Sequence, residues 1–277
     1  MRRNKHYLYV PADSQRKINS ALKLKLGAVI LDLEDGVAPS QKQTALENII
    51  SNADMFTATE LWVRLNQVPQ AESEFASLSG ISNIAGFWIP KAEPTNELIA
   101  LVKKISESGK QVGVLMETAK GYVKRQQLLS IMGITHLQLG EYDLAGELGI
   151  DLESEVVTRA MASVRLETVI AAKANSIRDV VGAVSANYKN LDQFNQSCKD
   201  LAALGFDSRA CIHPDQLAIA DTAFTPTPDQ IAWAEEVFAR FEENDARGAG
   251  AYVEKDGSMA DAATVRAARS ILEKAKS

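Results

Sequence analysis

Acidic and other polar residues directly follow several short apolar runs in this sequence. The letters LDLEDG place Glu34 and Asp35 after one run, and MET and GEYD place Glu117 and Asp143 after two later ones. The other polar residues in equivalent positions are Arg64, Asn66, Lys91, Glu93, Thr118, Glu141 and His213. If the runs are parallel strands of a barrel, their carboxyl ends share one face, and these side chains are expected to meet there.

Carboxylates that converge from neighbouring strands repel each other and raise one another's pKa unless a cation neutralises them. Oxygen ligands, without a paired-histidine or CxxC spacing, select magnesium or manganese over zinc. Glu117 and Asp143 follow adjacent predicted strands, and we expect them to bind Mg²⁺. The alternative for each acid is a helix N-cap or a partner of the helix dipole.

Three further residues have competing interpretations. Arg64 lies in the apolar run WVRLN, where an arginine is costly unless it meets an anion. That anion is a substrate or carboxylate in one interpretation and a structural ion-pair partner in the other. We expect His213 to pack at the barrel rim and Cys211 to lie in the core. Lys91 and Thr118, at the strand ends, are expected to contact the substrate with Arg64.

Eight short, β-branched apolar runs alternate with amphipathic segments along the chain. They are YLYV, AVILDL, LWVRL, GFWIP, VGVLM, HLQLG, VVGAV and ACI. Continuous apolar runs are typical of parallel strands buried on both faces, although a short run can also be part of a buried helix. Residues 96–106 have the apolar spacing of a helix between two runs. The pattern favours a (β/α)₈ (TIM) barrel over an open doubly wound sheet.

The pattern changes after Asp215, so we predict a barrel domain over residues 1–222 and a C-terminal helical extension over 223–277. The letters TPTP at 225–228 mark a break, and a helix is predicted to start at Pro228. A glycine-rich segment, RGAGAYVEKDG, is predicted to be a loop. A last helix is predicted from about Asp261.

Composition excludes several classes of protein. The net charge is −6 over 277 residues, with no basic stripe, so nucleic acid is not expected as a partner. No run approaches the 18 apolar residues of a membrane span, and we predict neither a span nor a signal peptide. Two distant cysteines give no disulfide framework, and a reducing cytoplasm is the expected location.

The ordered motifs resemble one family, the citrate lyase β-subunit-like proteins of the HpcH/HpaI aldolase and citrate lyase superfamily, which includes malyl-CoA and citramalyl-CoA lyases. The resemblance runs from residue 7 to about 273. The motifs are LYVPAD, VILDLEDGV, VRLN, PKAE, MET with AKG, GEYDLAGELGI, GFDSRACIHPDQ and GSMADAATVRAA.

This resemblance implies a TIM barrel with a helical extension, assembled as trimers or hexamers. It places Glu117 and Asp143 on the magnesium ligands and Arg64 on an arginine that contacts the substrate. Glu34 and Asp35 match the acidic pair that lines the metal's water shell. Asp261 matches an aspartate of the tail that reaches a neighbouring subunit's site and handles the acetyl proton; from its sequence context alone it is a helix N-cap.

The sequence departs from the family pattern at four positions. Where relatives usually have G-A-E-D, this chain has an acid at Glu141 and an aromatic residue at Tyr142. Ser14 stands where an arginine is frequent, and Val181 stands where an acid is frequent. These changes bear on the substrate and on the binding of CoA.

The resemblance implies a magnesium-dependent lyase that acts on a 3-hydroxy-carboxyacyl thioester. Cleavage gives a 2-oxo acid and an acyl thioester, and the reverse reaction joins them. Three alternatives stay open: a malyl-CoA-type thioesterase, a free-acid aldolase that produces pyruvate, and a non-catalytic subunit of a lyase complex. In each, the expected partners are small carboxylates or acyl-CoA and further copies of the chain.

Overall fold

The computed structural model describes residues 4–24, 27–245, 252–253 and 259–276. These residues form two compact units. One is Lys5–Asp221, and the other contains Asn4 and the described residues from Thr222 onward. No helix among them is long and apolar enough to cross a membrane.

The first unit is a closed barrel of eight parallel strands in sequence order, which confirms the predicted (β/α)₈ fold. Each of the eight apolar runs contributes a strand. The strands are β1 (His6–Pro11), β2 (Ala28–Asp32), β3 (Glu60–Arg64), β4 (Ile84–Ile89), β5 (Gln111–Met116), β6 (Ile134–Leu139), β7 (Asp179–Gly182) and β8 (Ser208–Cys211).

Helices follow the strands and enclose the barrel. They are α1 (Gln15–Ala21), α2 (Lys42–Asn52), α3 (Gln70–Leu78), α4 (Asn96–Glu107), α5 (Ala119–Val123), α6 (Arg125–Leu129), α7 (Glu141–Leu148), α8 (Glu155–Ala174), α9 (Leu191–Ala203) and α10 (Leu217–Ala223). Short 3₁₀ turns cover Pro39–Gln41, Ala53–Met55 and Pro214–Gln216. Helix α4 matches the predicted helix over 96–106, and its amide of Leu98 donates to the side chain of the N-cap Thr95.

Side chains at alternate strand positions fill the barrel interior. Tyr7 and Tyr9 of β1 pack there with large side chains from the facing strands. The other members of this cluster are Ala28, Ile30, Trp62, Trp88, Leu115, Val181 and Ala210. Because the residues between them pack outward against the helices, both faces of each strand are buried, and the runs read as continuously apolar.

The second unit is built on two helices, α11 (Pro228–Asp245) and α12 (Ala262–Ala275), which start where the sequence predicts. Its core contains Ala234, Val237, Val265 and Ala268. The predicted glycine-rich loop lies mostly outside the described residues. The loop prediction is wrong for Tyr252–Val253, which forms strand β9 and pairs with β10 (Met259–Ala260) in an antiparallel ladder.

Candidate active site

The carboxyl ends of the strands surround a cavity of about 580 Å³ in the barrel unit. Its lining includes Asp32, Arg64, Glu117 and Asp143. These residues belong to β2, to β3, to the end of β5 and to the first turn of α7 after β6. Closure of the barrel therefore brings together residues that are far apart in the sequence.

Arg64 forms a two-pronged ion pair with Asp32, which is its direct partner in the β2–β3 register. Its Nε and Nη2 each donate to a different Asp32 oxygen at 2.6 Å, and its Nη1 lies 3.1 Å from Oε2 of Glu34. Burial alone would lower the pKa of Arg64, but the hydrogen bonds to Asp32 outweigh it and raise that pKa. A guanidinium has five N–H donors, so two remain beyond these three contacts.

Lys91 lies between three acids that come from different elements. Its Nζ is 2.6 Å from Glu34, 2.9 Å from Asp35 and 3.3 Å from Asp143. Burial would lower the pKa of Lys91, but its hydrogen bonds to Glu34 and Asp35 hold the pKa above its ordinary value. Lys91 thus donates hydrogen bonds to Glu34 and Asp35 and forms an ion pair with Asp143. The contacts of Lys91 therefore support a role in fixing the acidic pair, and its substrate contact stays a prediction.

Glu117 is buried, with 2% of its surface exposed. Its Oε1 accepts a hydrogen bond of 2.7 Å from the backbone N–H of Lys91, a residue with a left-handed φ of 48°. Burial and the nearby charge of Asp143 raise the pKa of Glu117 to about 7, although the N–H of Lys91 and its ammonium oppose the shift. A positive charge beside both carboxylates would stabilise their ionised forms.

Asp143 lies in the first turn of α7, where the helix dipole favours a negative charge. The chain enters this helix through Gly140, which passes directly against Glu117. A Cβ at position 140 would overlap the Glu117 side chain. Glycine is therefore required for the end of β6 to approach Glu117 closely.

The donor set at this place fits magnesium. Within the described ranges, no group of three or more His, Cys, Asp or Glu side chains that could hold a metal lies together. Mg²⁺ takes one or two carboxylates from a protein and completes its shell with water and substrate oxygens. Glu117, with its raised pKa, and the partly exposed Asp143 supply such a pair.

Two other predicted site residues have well-defined local roles. The Thr118 hydroxyl accepts from the N–H of Gly121 as the N-cap of α5 and donates to Glu93. Its substrate contact stays a prediction. Asp261, in the second unit, caps α12. Its Oδ1 accepts from the N–H groups of Ala263 and Thr264, which lower its pKa. The proton-transfer role of Asp261 stays a prediction.

The unusual stretch before Asp143 has its own partners. Glu141 is 6% exposed and accepts two hydrogen bonds, of 2.7 and 2.6 Å, from Arg165 on α8. The additional acid is thus neutralised by the protein. Tyr142 lines the cavity, and its hydroxyl accepts from the N–H of Ala186.

His213 also lines the cavity and stacks on Tyr188, with ring centroids 4.8 Å apart and planes at 18°. Its side chain accepts from the N–H of Asp215 and so caps the turn Pro214–Gln216 that follows β8. These contacts agree with the expected packing at the rim.

The sequence analysis did not single out Asp32, Tyr9 and Gln138, which are among the residues that line the cavity. Asp32 is the last residue of β2, and it was absorbed into the apolar run AVILDL instead of being counted as an acid inside it. Gln138 is a polar residue within the apolar run HLQLG, and that signal could have marked it. Tyr9 carried no signal until its partner was known.

The sequence profile of the family described as HpcH/HpaI aldolase/citrate lyase matches residues 5–214. A mitochondrial citramalyl-CoA lyase of Rattus norvegicus is 30% identical to this chain over 290 residues, which cover 98% of this chain and 85% of that protein. A (3S)-malyl-CoA thioesterase of Cereibacter sphaeroides is 30% identical over 274 residues, which cover 97% and 93%.

Among solved structures, CitE of Mycobacterium tuberculosis in complex with magnesium, acetoacetate and coenzyme A matches with a TM-score of 0.79 and 27% identity, covering 98% of both chains. A citrate lyase β subunit of M. tuberculosis complexed with oxaloacetate and magnesium matches with a TM-score of 0.68 and 28% identity. It covers 80% of this chain and 97% of that one.

Proposed function

Because the chain belongs to the HpcH/HpaI aldolase/citrate lyase family, we propose that it is a magnesium-dependent carbon–carbon lyase of acyl thioesters. The proposed substrate is a 3-hydroxy-carboxyacyl thioester such as malyl-CoA, citramalyl-CoA or a citryl thioester. Cleavage yields a 2-oxo acid and an acyl thioester, and condensation is the reverse reaction. Relatives in the family are named as lyases of this kind.

The observation that carries the proposal is the pairing of Glu117 and Asp143 at the mouth of the barrel, with the pKa of Glu117 raised to about 7. Two carboxylates of this kind are suited to hold Mg²⁺ with open positions for a chelating hydroxy acid. When bound there, Mg²⁺ would lower the pKa of the substrate hydroxyl and stabilise charge on its oxygen.

The protein's own groups supply orientation and charge stabilisation. Arg64, fixed by Asp32, has two N–H donors left for an oxygen of the substrate, and a preorganised cation of this kind stabilises negative charge that develops on that oxygen. Glu34 and Asp35, linked through Lys91, form an acidic wall of the site. We assign them to positioning water next to Asp143.

Asp261 is proposed to move the proton of the acyl group. A carboxylate with a lowered pKa is ionised at neutral pH and can abstract a proton in condensation. In cleavage, its protonated form would return that proton to the thioester enolate. The support is the match of GSMADAATVRAA to the family motif.

The proposal is tested by incubating the protein and Mg²⁺ with acetyl-CoA or propionyl-CoA and, in turn, glyoxylate, pyruvate and oxaloacetate. Adducts and free CoA are followed by mass. We expect a Mg²⁺-dependent hydroxyacyl-CoA adduct with at least one pair. No adduct with any pair, and no cleavage of the corresponding hydroxyacyl-CoA, would refute the lyase.

A malyl-CoA-type thioesterase is the second candidate, because relatives with that name are 30% identical over nearly the whole chain. The same assay separates the two activities. A lyase releases acyl-CoA from the hydroxyacyl-CoA, whereas a thioesterase releases free CoA and the hydroxy acid. A free-acid aldolase would form the carbon–carbon bond without CoA, and a non-catalytic subunit would bind Mg²⁺ and ligand without turnover.

We also propose assembly into homotrimers or hexamers and a cytoplasmic location. The family resemblance supports the assembly, and two free, buried cysteines are compatible with a reducing compartment. Light scattering coupled to size-exclusion chromatography measures the assembly directly.

A further inference from the structure

Tyr9 and Gln138 form a hydrogen bond across the barrel interior, between β1 and β6. The Tyr9 hydroxyl donates to Oε1 of Gln138 at 2.8 Å. Both side chains line the cavity, and Gln138 is 3% exposed. The pair therefore supplies polar atoms to the wall of this cavity.

In the structure, the Gln138 amide turns its oxygen toward Tyr9. The guanidinium of Arg64 lies 4.9 Å above the centre of the Tyr9 ring and holds it in place. Burial raises the pKa of Tyr9, so the phenol keeps its proton and remains a donor. Since Oε1 accepts that proton, Nε2 of Gln138 is directed away from Tyr9.

The Nε2 group forms no hydrogen bond to the described part of the chain. In the same part of the chain, Trp88 Nε1 is the side-chain nitrogen or oxygen atom that is fully enclosed and lacks a hydrogen-bond partner, and Nε2 of Gln138 is not in that class. Nε2 of Gln138 is therefore not sealed inside the protein. It opens on the cavity that Gln138 lines.

This donor lies one layer below the acids. Gln138 is paired in register with Leu115, which precedes Glu117 by two residues and lines the same cavity. Residues two apart on a strand face the same side. A small acid held at Glu117 and Asp143 would thus extend its substituent toward the Gln138 amide.

We propose that Gln138 selects the 2-oxo acid partner by donating a hydrogen bond to an oxygen on the substituent next to its oxo carbon. The inference rests on the proposed lyase function and names its substrate class. A second carboxylate, as in oxaloacetate, satisfies the donor, whereas the methyl group of pyruvate leaves it unpaired. Sites built around a buried donor discriminate strongly against analogues that lack the acceptor.

The test compares condensation of acetyl-CoA with oxaloacetate and with pyruvate, with the two hydroxyacyl-CoA products resolved by mass. The variants are Gln138→Met, which keeps the length but removes the donor, and Tyr9→Phe, which releases the amide. Gln43→Met, at an exposed glutamine of α2, is the matched control. We expect the wild-type protein to have a higher kcat/KM with oxaloacetate.

In Gln138→Met the ratio of kcat/KM for oxaloacetate to that for pyruvate should fall at least tenfold, and in Tyr9→Phe at least threefold, while Gln43→Met matches the wild type. A wild-type preference for pyruvate, or smaller changes in the ratio, would overturn the assignment. If Gln138→Met does not fold, the ratio measured for Tyr9→Phe decides between these outcomes.

Calorimetric binding of the two acids in the presence of Mg²⁺ separates this inference from the lyase proposal. If no adduct forms but the ratio of affinities falls tenfold in Gln138→Met, the lyase proposal fails and the Gln138 assignment stands. If adducts form, and neither the ratio of kcat/KM values nor the ratio of affinities changes in Gln138→Met, the lyase proposal stands and the Gln138 assignment fails.

Discussion

Arg64 and Asp32 face each other in neighbouring strands and are joined by two hydrogen bonds of 2.6 Å. The sequence left Arg64 with two alternatives, a structural ion pair or a contact to an anionic ligand. The geometry makes them compatible, because Asp32 binds one edge of the guanidinium and Arg64 also lines the cavity.

Replacing Arg64 with lysine keeps the charge but removes the planar fork. A single ammonium cannot satisfy both Asp32 oxygens and also reach a substrate oxygen. We expect kcat to fall about 10²- to 10³-fold, as for loss of a preorganised donor to a developing oxyanion. Steady-state kinetics on the purified variant measure this, and a kcat within threefold of the wild type would contradict the role of Arg64.

The ion pair between Glu141 and Arg165 should be structural. Arg165→Met leaves the buried Glu141 carboxylate without its partner, and we expect the free energy of unfolding to fall by about 3 kcal/mol. The double variant Glu141→Gln with Arg165→Met should recover most of this loss, because no unpaired charge remains. Urea denaturation of the two single variants and the double variant completes the cycle. Additive losses would show that the two side chains are not coupled.

Gly140→Ala should disturb the metal site while leaving the fold intact. The added Cβ overlaps the Glu117 side chain, so the Glu117 carboxylate must shift from its position beside Gly140. Loss of ligand orientation typically lowers metal affinity by 10- to 100-fold, and we expect at least a tenfold decrease for Mg²⁺. Gly80→Ala is the matched control, since a Cβ there meets nothing within 4 Å. Equal Mg²⁺ affinities in the two variants would speak against a Glu117 ligand.

Asp261→Asn separates capping from catalysis. Asparagine caps a helix about as well as aspartate, so the thermal unfolding temperature should not change. Loss of a proton-transfer group typically costs about 10²- to 10⁴-fold in rate, and kcat should fall within this range. Asp229→Asn at the start of α11 is the control in the same unit. An unchanged kcat in Asp261→Asn would leave Asp261 as a helix cap alone.

The sequence was sufficient for the barrel because strands buried on both faces leave continuous apolar runs, and all eight runs became strands. Strand-end position also located Arg64, Glu117 and Asp143 in one cavity. Pairings across the barrel could not be predicted in this way. Tyr9 and Gln138 are 129 residues apart, and their contact depends on barrel closure and register.

The contacts of Lys91 and Thr118 within the protein could not be predicted for a different reason. Residue type and strand-end position cannot show whether a donor is already used by the protein. The three acids around the Lys91 ammonium, and the α5 cap and Glu93 at Thr118, become visible only with the side chains in place.

The most direct test of the account is calorimetric titration of the protein with Mg²⁺ at pH 6 and pH 8. Because Mg²⁺ binds the carboxylate and the pKa of Glu117 is about 7, this group is mostly protonated at pH 6 and mostly ionised at pH 8. We predict roughly tenfold tighter binding at pH 8. Glu117→Gln and Asp143→Asn should lose binding at both pH values, whereas Asp54→Asn, at an exposed acid, should not. Mg²⁺ binding by Glu117→Gln equal to that of the wild type would contradict the assignment of the metal site.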